Sequence, residues 1–141
     1  MISVPMEIGS HINATKGGVP AILSGTDAGT DQTGFDRTGY GSGVLAVNVG
    51  AATGTPDSFT VDMKIRHCDT VNGSYADFTP NTGSAAITQM TAAGFASVNV
   101  NLLGAKQFVC VKTAVAFVGG ASPKVPIAAS FVLGGAVTEP A

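Results

Sequence analysis

The chain has 141 residues, the length of one domain, with seven basic and nine acidic residues and a net charge of −2. Hydrophobic residues make up 45% and charged residues 11%, about half the usual share. The basic residues are scattered, which excludes a phosphate-tracking groove, and no apolar run approaches the ~20 residues that cross a membrane as a helix.

Met1–Ser10 is short and mixed, with Pro5 limiting its pairing, and reads as an arm or an edge strand. It has no basic stretch followed by an apolar one, so it does not read as a signal peptide, and folding in a cytoplasm is expected. Val19–Leu23 is a compact apolar run and a predicted strand. Ser24–Gly43 is rich in Gly, Thr and Asp and reads as a long loop holding Phe35 and Tyr40. Val44–Val49 is the next strand, and Gly50–Ser58 is a turn region built on Gly54, Pro56 and Asp57.

Phe59–Cys68 is the clearest element. Phe59, Val61, Met63 and Ile65 alternate with Thr60, Asp62, Lys64 and Arg66, the period of a strand with one wet and one buried face. Asn72-Gly73 follows, a pair suited to a positive-φ turn, then a short strand over Ala76–Thr79. Ala85–Met90 is a weaker strand candidate. Phe95–Leu103 alternates again. Lys106–Val118 is apolar on both faces, as a strand central in a sheet, or one covered on its outer side too, would be. Gly119-Gly120 and Ser122-Pro123 make a turn, Val125–Leu133 closes the domain, and Gly134–Ala141 reads as a tail. No segment keeps a helical period. The expectation is an all-β protein: one antiparallel, jelly-roll-like β-sandwich domain of about eight strands over residues 1–141, with an N-terminal arm (1–18) and a C-terminal tail (134–141).

The chain offers little for catalysis. Only His11 and His67 could act as bases. His67 falls in phase with the buried face of its strand and reads as a structural histidine, and His11 as a surface residue. Asp27, Asp31 and Asp36 are the one carboxylate cluster, and their spacing does not match a calcium loop. No Cys or His spacing fits zinc. The glycine pairs open no helix, so they have no phosphate-loop context. Cys68 and Cys110 read as two small thiols, with a bridge between them left open. Tyr40, Tyr75 and the phenylalanines could stack on a sugar, but Trp is absent and most Phe fall inside strands. No enzyme, cofactor or metal is expected. The low charge points to surface covered by a partner, although Ser, Thr, Asn and Gly could also supply a neutral soluble surface.

A sequence of motifs suggests more. Arg37–Tyr40, Val44–Val49, Phe59–His67 and Gly73–Phe78 follow one another, then Leu103–Lys112, Ser122-Pro123 and Val132–Gly135. Over residues 19–135 the chain resembles small structural proteins of tailed-bacteriophage virions, and is similar to jelly-roll capsid decoration, or cement, proteins such as those of Bordetella-infecting podophages. Cys68 stands where such proteins often have Ser, and Gln107 and Phe108 where they often have Arg and Tyr. The resemblance implies no catalytic residue. It implies a protein on the outer capsid surface, assembled in the bacterial cytoplasm, that binds the major capsid protein, bridges capsomers and forms a homo-oligomer, most simply a dimer, without direct contact to nucleic acid or membrane. The candidate partner contacts are apolar, aromatic or charged residues in irregular segments: Ile2, Val4, Met6 and Ile8 in the arm, and Phe35, Asp36, Arg37 and Tyr40 in the long loop. The alternative for Phe35 and Tyr40 is that they cap the open end of their own sandwich. Rival readings of the whole chain are a receptor- or carbohydrate-binding head-fibre or tail module, a tail or connector protein, and a secreted adhesin domain.

Overall fold

The computed structural model of the chain describes residues 12–136. Nine strands follow one another: β1 (Asn13–Ser24), β2 (Asp27–Asp31), β3 (Phe35–Asp36), β4 (Tyr40–Val49), β5 (Ser58–Cys68), β6 (Ala76–Asp77), β7 (Gly94–Asn101), β8 (Phe108–Val118) and β9 (Lys124–Ala136). No helix occurs among the described residues.

The strand pairs are nested. β5 pairs with β6, β4 with β7, β2 and β3 with β8, and β1 with β9, all antiparallel. This is one long hairpin whose tip lies between β5 and β6. Two further pairings, β4 with β9 and β5 with β8, roll it into two sheets. One sheet runs β1-β9-β4-β7 and the other β2-β8-β5-β6, with β3 continuing the β2 position beside β8. Eight positions in two four-stranded sheets, filled in this order, make a jelly roll.

Alternation along each strand builds the core. Leu45 and Val47 on β4, Phe131 and Leu133 on β9, and Val61 and Ile65 on β5 point inward with Val109, Val111 and Val115 on β8. Each such side chain, fully buried, is worth about 1.5–3 kcal/mol. On the far side of β5 the chain turns through Thr70–Gly73, closed by a 3.2 Å bond from the Gly73 N–H to the Thr70 carbonyl. Neither Asn72 nor Gly73 takes the positive φ expected of them. Gly73 is required by space: a Cβ there would overlap Thr70 Oγ1 and Cys68 Sγ.

Several boundaries differ from the sequence expectation. Ser24–Gly43 is not one long loop, because β2 and β3 occupy it on the edge of β8. The expected arm is strand from Asn13, held by β9, and the expected tail is strand as far as Ala136, where Gly134 and Ala136 pair with Ser42 and Tyr40 of β4; residues 137–141 lie outside the described residues. Ala85–Met90 forms no strand of its own. It runs along β5 through separate bridges, Ala86 to Lys64 and Met90 to Val61.

Candidate docking surfaces

The segment singled out in the sequence closes one end of the roll. Phe35 stacks its ring against Phe131, with centroids 5.4 Å apart, and both Phe35 and Tyr40 pack against the core. Arg37 spends its guanidinium on backbone: Nε donates to the Lys106 carbonyl at 3.1 Å, Nη1 to Tyr40 at 3.3 Å, and Nη2 to Ala105. Asp36 accepts from the Thr38 N–H at 2.8 Å and from Gln107 Nε2 at 3.1 Å. Its hydrogen bonds with Thr38 hold the carboxyl below its usual range. Phe35, Asp36, Arg37 and Tyr40 therefore sit together, with the two rings turned inward and the Asp36 carboxylate at the surface. Ile2, Val4, Met6 and Ile8 lie outside the described residues.

The outer face of the β2-β8-β5-β6 sheet is charged. Arg66 donates to Asp31 on β2 at 2.7 Å and to Asp77 on β6 at 3.0 Å, and Lys64 reaches Asp77 at 2.8 Å. The Asp31 bond raises the Arg66 pKa, and the bond from Lys64 lowers that of Asp77. Beside these lies a cleft of about 280 Å³ lined by Asp62, Lys64, Lys112 and Ile87. At the end of the same sheet both cysteines are buried and free. Burial pushes the Cys110 thiol up to about 12, which makes it unreactive. His67 takes the Lys106 N–H on Nδ1 at 3.2 Å and packs its ring 5.1 Å from Phe78, the environment of a structural histidine. Burial, helped by Lys106, lowers its pKa.

The opposite outer face has another character. Strands β4, β7 and β9 together hold one charged residue, Lys124, at the end of β9. Successive outward rows across these strands read Ala128–Asn48–Phe95, Ser130–Ala46–Ser97 and Val132–Val44–Asn99. Ile22 and Pro126 add a further row at the β1 side. Ile22 is 67% exposed, Phe95 62% and Val44 37%. Two apolar grooves score the face. One, of about 470 Å³, runs between Ile22, Asn48, Gly50, Pro126 and Ala128, and the other, of about 430 Å³, between Val44, Asn99 and Val132. Sequence reasoning did not find this face. Its signal was three charge-free stretches, 40–49, 94–101 and 125–136, which mean nothing until the strand order places them side by side. Among the described residues, no group of three or more His, Cys, Asp or Glu could hold a metal.

No protein-family model matches the chain, and no curated protein matches it. Among solved structures it is similar to a chain in the structure of infectious bursal disease virus, Gx strain, with a TM-score of 0.53 at 8% identity. The match covers 86% of this chain and 32% of the viral one, so the protein spans about a third of that chain's length. What the two share is the fold. The SPBc2 prophage-derived protein YomS aligns over 82% of this chain and 94% of its own, at 17% identity and a TM-score of 0.36, too low to carry an argument.

Proposed function

We propose that the protein is a non-enzymatic virion structural protein, a capsid decoration or cement protein of a tailed bacteriophage. It binds the outer surface of the major capsid protein shell, bridges neighbouring capsomers and works as a homo-oligomer. The observation that carries this reading is the division of the sandwich into an outer face whose strands β4, β7 and β9 hold one charged residue and an outer face rich in ion pairs. A surface so poor in charge over three adjacent strands suits burial against protein. The other sheet and the roll's end remain for a second, different contact. A subunit with two unlike contact surfaces is what a bridging role requires.

Cementing is multivalency. Each copy contributes a modest contact, on the order of 1,600 Å² when specific, and the lattice makes release cooperative. The shell contacts are assigned to the N-terminal residues Ile2, Val4, Met6 and Ile8 and to the Phe35–Tyr40 end, where Asp36 is exposed. Jelly rolls also occur in lectins, so the fold alone does not choose between shell and sugar.

Co-sedimentation tests the reading. Purified protein is mixed with undecorated phage shells and, separately, with intact host cells. Saturable binding to shells at a fixed copy number per capsomer, with a raised shell melting temperature, is the expected result. Binding to cells and not to shells would transfer the protein to the receptor-binding class.

A further inference from the structure

The groove between Val44, Asn99 and Val132 begins where the described chain begins. Ile12 lines it, with a side-chain methyl 3.8 Å from where a Cβ on Gly134 would stand. The floor is the row Gly134–Ser42–Asn101, which crosses β9, β4 and β7. Gly134 has no side chain and Ser42 a small one, so the row is a channel, walled on one side by Val132, Val44 and Asn99. It ends past the β7 edge at Thr82 and Gly83. They are held there by the Gly83–Val100 bridge and by a 3.0 Å bond from Asn101 Nδ2 to Thr82 Oγ1.

We propose that residues 1–11 of the same chain occupy this groove, running out from Ile12 across the sheet with Ile8 seated by Asn101 and Met6 over Thr82 and Gly83. The first argument is phase. Ile2, Val4, Met6 and Ile8 alternate with Ser3, Pro5 and Glu7, and the apolar positions keep step with Ile12. An extended segment leading to Ile12 therefore turns Ile8 and Met6 to the side on which Ile12 already lines the groove, and Glu7 and His11 to water. The second argument is length. Alternate residues of an extended chain are about 6.6 Å apart, and neighbouring strands about 4.8 Å. Counted from β1, Ser10 falls about 7 Å out, between Gly134 and Ser42, and Ile8 about 13 Å out, beside Asn101. Met6 falls about 20 Å out, one strand spacing past β7, where Gly83 lies. The third argument is charge. The groove is lined by uncharged residues, and the segment's one acidic side chain, Glu7, stands on its other side. A segment that crosses a sheet makes no ladder bonds with it, so Pro5 costs nothing here. Tethering completes the case: Ile8 is four residues from Ile12, and its local concentration in the groove exceeds that of any separate partner.

The inference narrows the arm's part in the shell contact proposed above to Ile2 and Val4, beyond the β7 edge. Its test uses no shells, so the two readings can fail separately. Ile8→Asp and Met6→Asp are each expected to lower Tm by about 5 °C, read by calorimetry, because each loses a buried apolar side chain. Glu7→Lys changes a side chain on the wet side and leaves Tm within about 1 °C. A chain carrying Ile8→Cys and Asn99→Cys is expected to cross-link within itself on treatment with a short bis-maleimide, giving a monomer that holds one linker by mass spectrometry. A chain carrying Ile8→Cys and Val118→Cys, whose second thiol lies on the other sheet, is not. A Tm that ignores Ile8→Asp overturns the proposal, and so does an equal loss from Glu7→Lys. Links from position 8 that join two chains overturn it too, and give the groove to the arm of a second copy. Equal linking to positions 99 and 118 within one chain refutes the seat by Asn101.

Discussion

Adding one methyl group at Gly43 tests how tightly the roll is packed. Gly43 sits in the middle of β4, paired with Leu133 on one side and Val100 on the other. Its φ is not in the left-handed region, so alanine has no backbone penalty there. The new Cβ would overlap the ring of Phe131, which is fully buried and itself packed against Phe35. Overpacking of this kind costs about 1–3 kcal/mol, and replacing glycine with alanine in a strand returns about 0.5–1 kcal/mol. The net loss for Gly43→Ala lies between about 0 and 2.5 kcal/mol, and overlap with two atoms of the Phe131 ring places it at about 1 kcal/mol or above. For a domain of this size that lowers Tm by roughly 5 °C, read by calorimetry. Gly43→Val should lose considerably more. The decisive measurement is a double-mutant cycle with Phe131→Leu, which makes room at the same place. The two substitutions should be non-additive by about 1 kcal/mol or more, with the alanine harmless in the smaller core. An unchanged Tm for Gly43→Ala, or strict additivity, would refute the packing argument.

Three further predictions concern the charged sheet and its end. Arg66→Met removes the tie from β5 to both Asp31 and Asp77; because these pairs are partly exposed, the loss should be about 1 kcal/mol, and chemical denaturation should show it shrinking as salt rises. The lowered pKa of His67 means that the unfolded chain takes up a proton first as pH falls. Its contribution to stability is complete above about pH 6.5 and declines below it, so the urea midpoint should drop between pH 7 and pH 5 in the wild type, and less in His67→Gln. Cys68 and Cys110 should resist a thiol reagent at pH 8 in the folded protein and react on denaturation; rapid labelling of native Cys110 would contradict its burial.

The sequence made some elements plain and concealed others, for physical reasons. β5 could be read residue by residue because its two faces meet different surroundings, core on one side and ion pairs on the other. β8 was rightly placed in a sheet interior, since it lies between β2 and β5. β2 was taken for loop because its sequence, Asp-Ala-Gly-Thr-Asp, has no apolar alternation; β8 supplies its pairing. The end of β9 was taken for tail because Gly134 and Gly135 bury no side chain, yet their backbone pairs with β4. At the Phe35–Tyr40 segment the composition identified the residues but not their direction. Phe131, nearly a hundred residues away, decides that the Phe35 ring turns inward.

The nesting of the strands also ranks the pairings by the length of chain each must close. The β5–β6 hairpin joins residues close in sequence, as His67 and Ala76 are, and its loop closes cheaply. Each pair outward from it spans more chain, until β1 meets β9 by bringing Asn13 beside Leu133. Folding is expected to be slow, as for non-local β topologies, with the pairs nearest the tip the easiest to close. The pair that closes the most chain, β1 with β9, is also the one that finishes the less charged sheet. Until it forms, β9 has an open edge and Phe131 and Leu133 stay incompletely covered, so the nascent chain spends its most aggregation-prone interval with its least charged strands exposed.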